Sequence, residues 1–471
     1  MKYTTVIGLE IHAELLTRSK VYCSCENAFG GKPNTRICPI CSGMPGTLPI
    51  LNKNAVRLAV KAGLALNCKI NSYSAFDRKN YFYPDLPKAY QITQQEYPIC
   101  GNGELVIGGK SFGIERIHIE EDAGKLLHSR SNGKTLIDFN RCGVPLIEIV
   151  TKPDFRSSEE VCAFVSEICL RLKYAGVCSA RLEEGSVRVD VNISVMPENS
   201  EKLGTRAELK NINSFKSIAK AIEYETIRQS QILENGERVL QETRRFDESS
   251  GKTFSMRSKE TVRDYRYFTE PDIPPVHISP EQLETIKSEM PEMPQERFKR
   301  YTEIYGLNSE EARLIIKDKD FSDFYDEAVA VSKEYKKTAN IMNGELNRYI
   351  NDSGKTLSEI KLTPGMLSEL IGFIGDGKIT NNGAKALLVY VCGSGKAPIE
   401  AAGEQGLIIK EDPQKLLEAC RKVIEENQKN VEAYKNGKTQ LFGFFMGQAI
   451  HILGKGTSPE SVKNTLEKLL K

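Results

Sequence analysis

Four short segments of the chain place ionisable side chains on every second residue. In residues 7–14, Glu10 and His12 alternate with Ile7, Leu9, Ile11 and Ala13, and Glu14 follows. In 116–120 the polar set is Arg116, His118 and Glu120. In 187–195 it is Arg188, Asp190, Asn192 and Ser194, and in 205–210 it is Arg206, Glu208 and Lys210. Alternation of this kind predicts half-buried strands, each with one apolar and one functional face. If the four strands are neighbours, their carboxylates converge. Carboxylates so close repel one another, and bound cations are the natural remedy. Oxygen-rich ligation with one imidazole suits Mg²⁺ or Mn²⁺ better than Zn²⁺. Hard cations among Arg and Lys are what phosphoryl transfer requires. The bland alternative is a network of surface ion pairs.

A second constellation is Cys23-x-Cys25 and Cys38-x2-Cys41, with Gly30, Gly31, Pro39 and Gly43 supplying turns. Two closely spaced pairs fit the tetrahedral thiolate geometry of a structural zinc, which leaves no open coordination position. The alternatives are a redox CxxC and buried free thiols. The remaining eight of the twelve cysteines are scattered and read as core.

These residues need elements to position them. A helix is expected over 157–173, opened by Ser157, Ser158, Glu159 and Glu160, and another from about 213 to 234, stopped at Asn235-Gly236. Strand signals vanish after about 290, past Pro291 and Pro294, and a helix restarts at Thr363-Pro364. The expected division is therefore a strand-rich domain at 1–290 with the zinc knuckle at 23–41, a helical domain at 291–362 and a small all-α tail at 363–471.

The chain has 471 residues, 40% of them hydrophobic, enough for several cores, and a formal charge of +2. No global basic signature points to nucleic acid, although the last fifty residues carry a mild excess of Lys and Arg. The start of the chain lacks a basic leader and apolar block, and clustered cysteines at this density suit a reduced, cytoplasmic compartment. Residues 372–379 mimic a phosphate-binding loop but carry Ile379 at the Ser/Thr position, and 392–397 fail as well, so both read as turns. No Gly-x-Ser-x-Gly and no activated cysteine is present, so an amidase half-reaction would belong to a partner.

Long ordered stretches carry a resemblance. They include "IGLEIHAEL" (7–15), "CPICSGMPGTLP" (38–49), "KNYFYPDLPKAYQIT" (79–93), "RIHIEEDAGKL" (116–126) and "DFNRCGVPLIEIVTKPD" (138–154). "EEGSVRVDVNISV" (183–195), "GTRAELKNINSFKSI" (204–218) and the run at 241–275 complete them, with a looser likeness at 433–460. The chain resembles the GatB family, the B subunits of the aspartyl/glutamyl-tRNA amidotransferases. The resemblance implies an α+β fold, with a mixed, largely antiparallel sheet in a catalytic domain at 1–290 and a tRNA-binding tail at 363–471. It also implies an ATP-dependent carbon–nitrogen ligase acting on a misacylated tRNA, Glu on a glutamine tRNA or Asp on an asparagine tRNA. A GatB chain would phosphorylate the side-chain carboxylate, and ammonia from the amidase, or A, partner would displace phosphate. A small C partner would clasp the two. The resemblance makes Glu10, His12 and Glu120 magnesium ligands, strand parity favouring Glu120 over Glu121. Asp190 and Glu208 join them by parity and motif. Arg188, Arg206, Lys210 and Lys79 become candidate contacts to ATP or the acyl phosphate, and Tyr81, Tyr83 and Tyr90 candidates for stacking on the terminal adenosine.

Three rivals stand beside this reading. The archaeal E-type relative carries an inserted domain, for which the residues after 275 leave too little chain. A zinc-containing RNA-binding scaffold leaves the four functional strand faces unexplained. A two-metal hydrolase would act without ATP.

Overall fold

The computed structural model describes residues 3–128, 133–182, 184–200, 202–258, 264–409, 413–454 and 458–470. Residues 259–263 of the matching run at 241–275 lie outside the described residues. The chain divides into two compact units, Met1–Pro294 and Gln295–Lys471.

The first unit is built on a nine-stranded sheet. In spatial order its strands are Lys252–Ser258, Glu242–Asp247, Ala207–Lys210, Val187–Pro197, Tyr3–Glu14, Pro145–Thr151, Lys110–Glu121, Cys100–Ile107 and Lys69–Ile70. Neighbours run antiparallel except Ala207–Lys210 with Glu242–Asp247, which are parallel. This is the mixed, largely antiparallel sheet of an α+β fold. All four expected strands are present, and the Glu120 strand starts earlier, at Lys110.

Alternation decides what each face does. Ile7, Leu9 and Ile11, with Ile117, Ile119, Ile147, Ile149, Val189, Val191 and Leu209, point to one side and are buried. Helices Lys53–Ala65, Ser158–Tyr174 and Phe215–Glu234 contribute Leu58, Phe164, Ile168, Ile218 and Ala221 to the same core. Each fully buried aliphatic side chain there stabilises by roughly 1.5–3 kcal/mol. The helix expected at 157 has Ser157 as its cap, accepting from the Glu160 N–H at 3.3 Å. The helix expected from 213 begins at Phe215, because the Ser214 side chain caps it.

The second unit consists of helices and connecting turns in its described residues. One core joins Tyr301, Tyr325 and Leu346 to Leu367, Leu387 and Leu407. Another joins Cys420, Val423, Phe445, Ala449, Val462 and Leu466. The border expected at 362 therefore falls inside a core. Thr363 does cap a helix, Pro364–Gly375, but Ser368 on it donates to the Ala328 carbonyl at 2.7 Å. A helix start is a local event, whereas a domain border needs a gap in packing. The lookalike phosphate loops are turns after helices, at Gly377 and Gly395, both with positive φ. No helix among the described residues is long and apolar enough to cross a membrane.

Candidate active site and metal centre

Register carries the functional face across the sheet. Glu10 lies opposite Asp190, and His12 lies opposite Arg188 on one neighbour and Glu148 on the other. Glu148 lies opposite His118, and Asn192 opposite Glu208. Directly paired residues share a face, so five strands deliver acids and imidazoles to one side. Two triads result, each with its potential ligand atoms within 4.8 Å of one another: His12, Glu120 and Glu148, and Glu10, Asp190 and Glu208.

In the first triad, His12 Nε2 is 3.4 Å from both Glu120 Oε1 and Glu148 Oε2, and His118 Nε2 is 3.3 Å from Glu148 Oε2. Burial opposes charge on His12, but Glu148, Glu120 and Asp190 outweigh it and hold the imidazole up at about 9. Desolvation pushes Glu120 above the usual carboxylate range. Burial also opposes ionisation of Glu148, yet His118 and His12 pull it well below that range.

In the second triad, Asn192 Nδ2 donates to Glu10 at 2.9 Å, and Thr243 Oγ1 donates to Glu208 at 2.9 Å. Lys210 bonds Asp190 and lies 3.1 Å from Glu208. Desolvation of its ammonium is outweighed by these two acids, so its pKa is raised. Each triad thus contains or adjoins a cation of the chain itself, His12 in one and Lys210 in the other. The donor set, carboxylate oxygens with one imidazole, fits a hard divalent cation.

Both triads open into one cleft of about 660 Å³, which Lys79, Tyr81, Tyr83, Arg206, Tyr265 and Tyr267 also line. Of the expected site residues, Glu10, His12, Glu120, Asp190, Glu208, Arg206, Lys210, Lys79, Tyr81 and Tyr83 meet here. Arg188 lines an adjoining cleft that shares His12, Lys79 and Asp190, and its guanidinium binds Asp122 at 2.9 Å. Glu121 points to the opposite side, where it binds Lys88 and accepts from the Ile92 N–H at 3.0 Å. Parity therefore does separate Glu120 from Glu121.

Tyr90 departs from expectation. It lines neither of these clefts; its ring lies against Arg78, with the guanidinium carbon 4.3 Å from the ring centre, and it borders a small groove with Met44 and Thr47. It starts the Tyr90–Thr93 strand, whose pairing with Asp77–Asn80 directs it there.

Among the lining residues with no place in the sequence reading of the site are Glu148, Tyr265 and Tyr267. Glu148 sits in "PLIEIVT", where apolar residues occupy both parities and hide the alternation. The available signal was the pair Ile147 and Ile149 flanking one acid. The tyrosines lie outside any periodic segment, and only tertiary structure brings them in.

The cysteine tetrad lies in an irregular loop. Cys23, Cys25, Cys38 and Cys41 bring their sulfurs within 4.8 Å of one another, with Cys25–Cys41 at 4.0 Å and Cys38–Cys41 at 3.9 Å. A tetrahedron with Zn–S near 2.3 Å has sulfurs about 3.8 Å apart, so the spacing fits zinc. The Cys38 N–H donates to Cys41 Sγ at 3.2 Å. Gly43 closes that turn at φ 68°, and a Cβ there would lie 2.8 Å from Lys88 Cγ. The Cys23 hydrogen bond pulls Cys41 down to about 4, aided by its own backbone contact and by Lys20, and burial pushes Cys25 up to about 11. One ready thiolate beside the raised thiols of Cys23 and Cys25 suits metal capture.

Comparison with known proteins identifies the family of the chain. The family model described as the GatB/GatE catalytic domain matches residues 5–284, and one described as a GatB domain matches 323–470. The aspartyl/glutamyl-tRNA(Asn/Gln) amidotransferase B subunit of Caldicellulosiruptor saccharolyticus is 48% identical, over 100% of this chain and 99% of its own length. Its counterpart in Ruminiclostridium cellulolyticum is 49% identical over 100% and 98%, and that of Thermoanaerobacter pseudethanolicus 47% over the full length of both. The chain belongs to the GatB family, the B subunits of the aspartyl/glutamyl-tRNA(Asn/Gln) amidotransferases.

Proposed function

We propose that the chain phosphorylates the side-chain carboxylate of Glu-tRNA(Gln), Asp-tRNA(Asn) or both with ATP, and amidates the product with ammonia. The observation that carries this reading is the pair of triads side by side in one cleft with Lys79, Lys210 and Arg206 around them. A carboxylate is a poor acyl donor because its leaving group would be oxide. Attack of a carboxylate oxygen on the γ-phosphorus breaks the bond to the bridging oxygen, and ADP leaves with that electron pair. Ammonia then attacks the acyl carbon, phosphate departs, and a proton is lost from nitrogen to give the amide.

His12, Glu120 and Glu148 would hold one Mg²⁺ and Glu10, Asp190 and Glu208 a second, supplying charge neutralisation at the transferring phosphoryl group. The chain's own residues do the rest. Lys79 and Arg206 present fixed positive charge at the rim, where equatorial oxygens gain charge in the transition state. Lys210 pairs with Asp190 and lies beside Glu208, offsetting part of the negative charge of that triad. Tyr81 and Tyr83 offer flat faces for a base, and the buried floor excludes water from the acyl phosphate. Cys23, Cys25, Cys38 and Cys41 would hold a structural Zn²⁺.

The partners in this reading are the glutamine-hydrolysing amidase, which supplies ammonia, the small third protein of a cytoplasmic heterotrimer, and the misacylated tRNA. The test is ADP release by the reconstituted complex with Glu-tRNA(Gln) and, separately, Asp-tRNA(Asn). Release that depends on the charged tRNA and is lost in folded Glu10→Ala supports the reading. A folded Glu10→Ala protein that matches wild type overturns it.

A further inference from the structure

Lys79 sits on the Asp77–Asn80 strand with Arg78 beside it, and successive residues of a strand point to opposite sides. Lys79 enters the cleft, whereas Arg78 lines none of the described clefts. Arg78 instead binds the segment 265–272. Its Nε donates to Glu270 Oε2 at 2.6 Å, and its Nη2 donates to Glu270 Oε1 at 3.0 Å and to Asp272 Oδ2 at 2.9 Å. The Glu270 side chain is 0% exposed, so this is a buried two-pronged pair. The guanidinium is also enclosed by rings, 4.3 Å from the Tyr90 centre and 5.7 Å from that of Phe268.

The segment is tied down along its length. Phe268 and Thr269 pair with Arg78 and Asp77, and the Glu270 N–H donates to the Phe76 carbonyl at 2.8 Å. The Asn80 N–H donates to the Tyr265 carbonyl at 2.9 Å, and its side chain to the Arg266 carbonyl at 2.9 Å. Arg266 adopts φ 46°, a left-handed conformation that costs energy in a non-glycine residue and persists only where its surroundings impose it. That turn separates Tyr265 from Tyr267, and both rings line the cleft. Lys79 Nζ is 4.9 Å from the Tyr265 ring centre and 5.8 Å from that of Tyr81.

We infer that Arg78 is a positioning residue: by clamping Glu270 and Asp272 on the side of its strand away from the cleft, it holds Tyr265 and Tyr267 in the cleft beside Lys79 and so fixes the position of that ammonium. The fork matters as much as the charge. A lysine at this position keeps one positive charge but cannot make the paired bonds to Glu270 and reach Asp272 as well. The consequence for phosphoryl transfer rests on the function proposed above; the geometric consequence does not.

Two measurements separate these. The first is reductive methylation of lysines in the full chain, read by mass spectrometry, with exposed Lys385 as internal reference. In Arg78→Gln, labelling of Lys79 relative to Lys385 rises about tenfold; an unchanged ratio overturns the inference. The second is tRNA-dependent ADP release. Arg78→Gln lowers kcat about a hundredfold, the scale of a small misplacement of a reacting group. Arg78→Lys recovers part of it. The double variant Arg78→Gln with Tyr265→Ala loses less than the product of the two single losses, because Tyr265 is one of the groups through which Arg78 acts. Losses that multiply independently overturn the inference. Raised Lys79 labelling, with no ADP release even in wild type, supports the clamp and overturns the phosphoryl-transfer reading alone. If Arg78→Gln does not fold, Glu270→Gln, which keeps the shape and removes the charge, carries the same expectations.

Discussion

The cysteine tetrad takes its four sulfurs from residues 23–41 of one irregular loop, while the carboxylate cleft takes its donors from five strands between residues 10 and 208. The tetrad has no element of regular structure to stiffen it and depends on its own turns, backbone N–H groups and the buried Lys20. The cleft has the reverse arrangement. Its ligands are carried by a sheet whose other face is fixed by a large apolar core, so the acids can be changed without removing what holds the strands in place. One cluster should therefore answer to mutation through stability and the other through chemistry.

The largest effect that sharpens this contrast is at Glu148, central in the first triad. Glu148→Ala should reduce ADP release by roughly 10³-fold, the scale of losing an electrostatic element at a transferring group, with an unchanged far-UV spectrum. A mutant that loses structure along with activity would break the comparison. Cys38→Ser should do the opposite. It should lower zinc content, measured by atomic absorption, and the thermal midpoint by roughly 5–10 °C, while the activity of protein that remains folded stays near wild type.

Next comes pH. His12 is raised from 6.5 to about 9 in the folded chain. Its contribution to stability is fully present below about pH 6.5 and is lost as pH rises through about 9, and its size is on the order of 3 kcal/mol. Denaturation of chelator-treated protein from pH 6 to 10 should show this fall, and His12→Asn should flatten it. Divalent-cation affinity should rise over the same window, because a ligating imidazole must lose its proton. The smallest expected effect is at Asn192, whose amide holds Glu10. Asn192→Ala should weaken Mn²⁺ binding by about tenfold in a direct titration and leave the tetrad's zinc untouched.

The two clusters also differ in how far they could be read from the chain. The tetrad was complete in the sequence, because thiolates a few residues apart can reach a common centre through local turns alone. For the cleft, alternation in four segments marked the faces that carry Glu10, His12, Glu120, Asp190 and Glu208, the family resemblance selected these residues from them, and parity separated Glu120 from Glu121. Alternation could not choose Glu148. That strand is apolar at both parities, and it is inserted between the Tyr3–Glu14 and Lys110–Glu121 strands out of chain order. Tyr90 was misplaced for a related reason: period and composition say which side a residue takes on its own strand, not which cleft that side faces.

By itself, then, the sequence determined the periodicity of the four alternating strands, the caps at Ser157 and Thr363, and the thiol spacing. All of these depend on interactions within a few residues. The tertiary structure alone decided the order of the nine strands, the meeting of Glu148 with His12, and the docking of the 265–272 segment over Lys79. It also placed one core across the helix start at Thr363. These are pairings between residues far apart in the chain, set by which surfaces can be buried together, and no local pattern encodes which distant partner completes the burial.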